Sequence, residues 1–114
     1  MIHTTFHEPN VVVVRPGVDR LTSVNAKAFK DELSALFETG MTQIIIDFTK
    51  VTFLDSSGLG ALVGILKKLG FRGELTICGL STDVAHMFKI SRMDKVFSIQ
   101  PDVPAALQMI GESP

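Results

Sequence analysis

Tryptophan and tyrosine are absent from this chain, and cysteine occurs once, as Cys78. A lone cysteine cannot close an internal disulfide, which points to a reducing compartment, the cytoplasm. An excess of either charge is missing too: eleven Lys and Arg face twelve Asp and Glu, a formal charge of -1. That balance offers no attraction to nucleic acid or to an anionic membrane. Long hydrophobic runs are also lacking. The longest, Leu59 to Leu66, is far short of the ~20 apolar residues that span a bilayer. The opening residues Met1 to Pro9 lack the basic start and apolar core of a secretory signal.

What remains is a chain of 114 residues, 46% of them hydrophobic. A chain of that size buries roughly two thirds of its unfolded surface, enough to fold without staples. Residues 1–114 are therefore expected to form a single domain, frayed over Gly111 to Pro114.

The pattern along the chain alternates between two periods. Ile2 to Phe6 and Val11 to Val14 read as strands around a turn at Glu8-Pro9-Asn10, the second a β-branched run suited to burial on both faces. From Thr22 or Ser23, either able to cap it, a helix runs to Gly40 with Ala26, Phe29, Leu33, Leu36 and Phe37 on one face. Gln43 to Phe48 is a short buried strand. Gly58 to Leu69 is a helix ending in Lys67 and Lys68, which suit the negative end of its dipole. Then follow a strand over Glu74 to Cys78, a helix over Thr82 to Ile90, a strand over Val96 to Ile99 and a helix over Val103 to Ile110. The fold class is α/β: a mixed, mostly parallel sheet of about five strands with about four helices, which cover it unevenly.

The chemistry centres on "FLDSSGLG", residues 53 to 60. A nucleophile elbow needs G-x-S-x-G, and Asp55 occupies the place of its first Gly before Ser57. None of His3, His7 and His86 has a sequence neighbourhood that marks it as a base. A dinucleotide fingerprint fails because Val63 stands where its third Gly belongs, and no P-loop is present. A phospho-aspartate receiver needs an early acidic pair, whereas residues 8 to 19 hold only Glu8 and Asp19, so Asp47 reads as a turn cap. His3 and His7 share a strand face without a third metal ligand and read as edge residues. Cys78 reads as a small core side chain, and Met87 and Met93 as core filler. No catalysis, cofactor or metal is expected.

Two serines at a helix start are different, because free N–H groups and the dipole there favour negative charge. Asp55 or one serine as an N-cap accounts for one polar residue, not for the pair followed by Gly58. The small residues Gly60, Ala61 and Gly64 suit close approach of another surface, the sheet or a partner.

The stretch "IIIDFTKVTFLDSSGLGALVGILKKL", residues 44 to 69, resembles the signature of the STAS domain family, specifically the bacterial anti-sigma factor antagonists. The likeness continues through "GELTICGLSTDVAHMFKISRMDKVFSI", residues 73 to 99. It implies a small α/β domain whose protein-binding face surrounds the start of the second helix, here Asp55, Ser56, Ser57, Gly58 and Leu59. It implies Ser57 as a phosphorylated residue. The partners it implies are an anti-sigma factor that is itself a serine kinase, and a metal-dependent serine phosphatase. The unmodified form would bind the anti-sigma factor and free the sigma factor, and phosphorylation would end that binding. One departure stands out: where the family pattern Gly-x-Leu-Asp enters the first helix, Leu21 is kept and Thr22 replaces Asp. The resemblance also admits a STAS binding module that is never phosphorylated, as in a lipid transporter or a larger signalling assembly.

Overall fold

The computed structural model describes residues 1–7 and 9–112. Its main sheet has five strands: β1 (His3–His7), β2 (Val11–Arg15), β4 (Gln43–Asp47), β6 (Glu74–Cys78) and β7 (Ser98–Gln100), adjacent in that order. β1 runs antiparallel to β2, and every later pair is parallel. Two very short segments, β3 (Arg20–Leu21) and β5 (Phe53–Leu54), form a separate parallel pair. The mixed, mostly parallel α/β layer expected from the alternating pattern is therefore present.

Four helices connect and cover these strands: α1 (Ala26–Glu38), α2 (Ser56–Leu69), α3 (Thr82–Ile90) and α4 (Val103–Glu112). The larger core packs Phe29 and Leu33 of α1, Leu62 and Ile65 of α2, and Phe88 of α3 on Val12, Val14, Ile44, Ile46 and Ile77 of the sheet. Strand side chains alternate between faces, so Val11, Val13, Ile45 and Cys78 point to the other side, where they meet Ala106 of α4. Three helices on one face and one on the other is the uneven cover anticipated. It also explains why Val11 to Val14 and Ile44 to Ile46 are buried without alternation.

Several boundaries differ from the sequence reading. α1 starts at Ala26 with Asn25 at its N-cap, and no side chain caps it. Thr22 instead accepts from the Val24 N–H, and Asn25 Oδ1 accepts from the Thr22 N–H, so the segment before α1 is a polar turn. β7 lies two residues later than expected, because Met93–Lys95 form a single 3-10 turn ahead of it. α4 extends to Glu112, two residues past the expected Ile110, while Ser113 and Pro114 lie outside the described residues, as does Glu8 of the expected first turn. Met87 is on the surface, not in the core, whereas Met93 packs against the core's edge.

Candidate functional site

The Asp55–Leu59 segment sits where β5 turns into α2. Leu54 is buried and Phe53, one residue earlier, faces out, as the period of a strand demands. Asp55 adopts an extended backbone and caps α2: its Oδ1 accepts from the N–H of Ser57 at 2.9 Å and of Gly58 at 3.0 Å. α2 thus begins at Ser56, two residues ahead of the expected Gly58. The other carboxylate oxygen, Oδ2, accepts from the Ser23 N–H at 3.4 Å. One aspartate therefore joins the α2 N-terminus to the turn that leads into α1.

Of the two serines, Ser56 is exposed and Ser57 is half-buried. Gly58 is buried, and a Cβ there would meet the Leu21 carbonyl oxygen at 2.6 Å and Leu54 Cδ1 at 2.7 Å. This glycine is required by packing, since any side chain would push α2 off the β3–β5 pair. Neither Gly60 nor Gly64 makes a close approach to the sheet. A Cβ on Gly60 would meet nothing within 4 Å, and one on Gly64 would meet Lys30 of α1. Leu59 is half-buried against the core, Leu62 is fully buried, and Leu66 is partly buried.

Around this turn lie surface residues that sequence reasoning did not tie to the serines. Val24, next to Ser23, is 92% exposed. Phe53 lies on the surface with the Arg20 guanidinium 4.2 Å from its ring centroid, held there by the β3–β5 pairing of the two residues. Phe53 in turn shares a shallow groove with Met87 and His86 of α3. The two residues of β5 are too few to show a strand period in the sequence, so Phe53, like Val24 and Met87, is exposed through tertiary packing.

The remaining candidates lie elsewhere. His3 and His7 are exposed on edge strand β1. Asp47 Oδ1 accepts from the Thr49 N–H at 3.0 Å and from its hydroxyl, the turn-capping role expected. It also faces Arg15 at 4.0 Å in a cleft of about 450 Å³, which is lined by His3, Lys50 and Asp19 among others and does not include the serines. Cys78 is fully buried, and desolvation, helped by Asp47 and Asp102, pushes its thiol up to about 12. Among the described residues no three His, Cys, Asp or Glu side chains converge to hold a metal, and no helix is long and apolar enough to cross a membrane.

Residues 4–106 match the STAS domain model, and the chain belongs to the STAS domain family. Its relatives include anti-sigma factor antagonists. It is 28% identical over 104 residues to the anti-sigma F factor antagonist of Paenibacillus polymyxa, across 89% of this chain and 87% of that one. It is 29% identical over 87 residues to BtrV of Bordetella bronchiseptica, across 75% of each. Its fold is similar to the unphosphorylated anti-sigma factor antagonist SpoIIAA, with a TM-score of 0.75 and 19% identity over 99% of this chain and 100% of that one. The phosphorylated form of SpoIIAA from Bacillus gives 0.72 and 20% over 96% and 99%.

Proposed function

We propose that this protein is an anti-sigma factor antagonist whose unphosphorylated form binds an anti-sigma factor and releases the sigma factor, and that phosphorylation of Ser57 switches the binding off. The anti-sigma factor is read as the serine kinase, and a metal-dependent serine phosphatase restores the active form. The protein itself acts by binding, without catalysis, in the cytoplasm. The observation that carries the reading is the setting of Ser57: a half-buried serine in the first turn of α2, its N–H already held by Asp55, which also takes the N–H of Ser23 next to exposed Val24.

That setting supports a switch on physical grounds. A phosphoryl group adds about -1.5 to -2 charge. The N-terminus of α2 accommodates negative charge, so the fold survives. The neighbouring surface offers a partner apolar and small groups, and there the same charge brings desolvation cost and steric conflict. Asp55, Ser56, Gly58 and Leu59 would border the contact, with Val24 and Phe53 widening it. The existence of a phosphorylated form of SpoIIAA adds support.

The test is capture from host lysate on the immobilised protein, with phosphopeptide mapping of protein recovered from cells. Recovery of a small serine-kinase-like ATPase, with phosphate on Ser57, is expected. Capture of that ATPase with no phosphate anywhere on this chain would leave a STAS binding module without the switch.

A further inference from the structure

Ser57 borders a shallow, open groove of about 270 Å³ between the N-terminal halves of α1 and α2, lined by Ala26, Lys27 and Lys30 on one side and Ser57, Gly60 and Ala61 on the other. At about 30 Å³ per liquid water, that is room for a phosphoryl group with its first waters.

The charges around the groove favour an anion. Neither helix has an acidic residue in its first turn, and the α1 N-terminus has no side-chain cap, so its dipole is uncompensated there. The turn leading into α1 presents neutral Thr22 and Ser23. Lys30 lies across α2 where Gly64 leaves space, its Cε and Nζ each 2.8 Å from where a Gly64 Cβ would stand; Gly64 is about 10 Å along α2 from Ser57, a distance the flexible lysine side chain covers by swinging toward the helix start. Lys27 Nζ is 2.9 Å from Asp31 Oδ2, but that pair is exposed, with the two side chains 89% and 62% accessible. An exposed i,i+4 pair is held weakly and exchanges readily for a stronger anion. Two carboxylates oppose: Asp55, already engaged with three backbone N–H groups, and Asp31.

We propose that Lys27 and Lys30 form a phosphoserine clamp, which draws the phosphate of modified Ser57 into the α1–α2 groove and holds it against the protein's own α1. This rests on the reading of Ser57 as the phosphoacceptor. Lys27 leaves Asp31 for the phosphate, a dianion that binds an ammonium more strongly than an exposed carboxylate does. The phosphorylated state is thereby stabilised by its own fold, and the two amines are masked from any partner that reads them in the unmodified state.

The experiment places phosphoserine at position 57 of the full chain by genetic code expansion, so no kinase is needed. The phosphate is titrated by 31P NMR, and the protein is melted with and without phosphate, for the parent chain and for Lys27→Met, Lys30→Met and the double variant. In the parent, the second phosphate ionisation is expected below that of the same phosphoserine in urea-unfolded chain, by about half a pH unit or more. The phosphoprotein is expected to melt higher than the unmodified chain. The double variant should lose both effects, and Lys27→Arg with Lys30→Arg should restore them. A folded phosphoprotein whose phosphate titrates as in the unfolded chain, and is indifferent to both lysines, overturns the clamp. Because the clamp is judged on installed phosphoserine, failure to find phosphate on Ser57 in cells would count against the switch alone.

Discussion

Asp55 holds Ser57 by its backbone, with Oδ1 2.9 Å from the Ser57 N–H, and so leaves the serine hydroxyl unencumbered by the capping role. The division of labour between two neighbouring residues matters for the whole site. Capping is needed to start α2, and a serine that supplied the cap would have its oxygen turned inward to the helix. Asp55→Ala should therefore destabilise the protein by about 1 kcal/mol, as loss of an N-cap does, while Asp55→Asn should retain most of the stability. Urea unfolding of both variants checks this, and equal stability of Asp55→Ala and the parent would contradict it.

The glycines of α2 separate packing from surface. Gly58→Ala puts a Cβ against the Leu21 carbonyl oxygen and should cost about 1–3 kcal/mol through overpacking. Gly60→Ala meets nothing and gains helix propensity, so it should be neutral or stabilising by up to about 1 kcal/mol. Thermal melts of the two variants give the ranking; a reversed order would remove Gly58 from its packing role.

Leu59 and Leu62 should divide in the same way. Leu62 is fully buried, and Leu62→Ala should cost about 2–5 kcal/mol. Leu59 is half-buried beside the serines, so Leu59→Ala should cost less stability and weaken partner binding more. Paired melting and binding measurements decide it. A larger stability loss at Leu59 would place it in the core and not at an interface.

Cys78 should be chemically silent in the folded protein. Its thiol is fully buried and raised to about 12, so alkylating reagents at pH 8 should react only after unfolding. The raised value also fixes the sign of a pH effect. The folded state keeps its proton while the unfolded thiol, with a value of 9.0, gives its own up. The contribution to stability is complete below about pH 9 and is lost as pH rises from there toward 12. Cys78→Ala should flatten the fall in stability across that window, as read by urea unfolding at a series of pH values. Rapid alkylation of the native protein would contradict the buried placement.

Much of this architecture was legible because it follows from patterns longer than a turn. The face shared by Phe29, Leu33 and Leu36 marked α1, and the unbroken Val11 to Val14 run marked a strand covered on both sides. What escaped was short or non-local. β3 and β5 are two residues each, too brief to show any period, and they exist because the Asp19 carbonyl and Leu21 carbonyl take N–H groups from Thr52 and Asp55. The Asp-Ser-Ser-Gly stretch was conspicuous in the sequence, yet the reason for its glycine was not. Gly58 is fixed by a carbonyl oxygen 37 positions away in the chain, at Leu21. The lysines beside Ser57 and the exposed Val24, Phe53 and Met87 likewise depend on which helices become neighbours, which no local propensity encodes.

If Ser57 is the switch, its charge state decides whether a partner binds. The direct measurement is a titration of the captured anti-sigma partner against the parent chain, Ser57→Ala, Ser57→Asp and Ser56→Ala, with each variant also incubated with the kinase and radiolabelled ATP. All four should fold. Ser57→Ala should bind like the parent and take up no phosphate, whereas Ser56→Ala should still be phosphorylated. Ser57→Asp should bind at least tenfold more weakly, a change that needs only about 1.4 kcal/mol of lost interface energy. Phosphate on Ser56 would move the switch by one residue. Unchanged binding by Ser57→Asp, with no phosphate incorporated by any variant, would contradict the account.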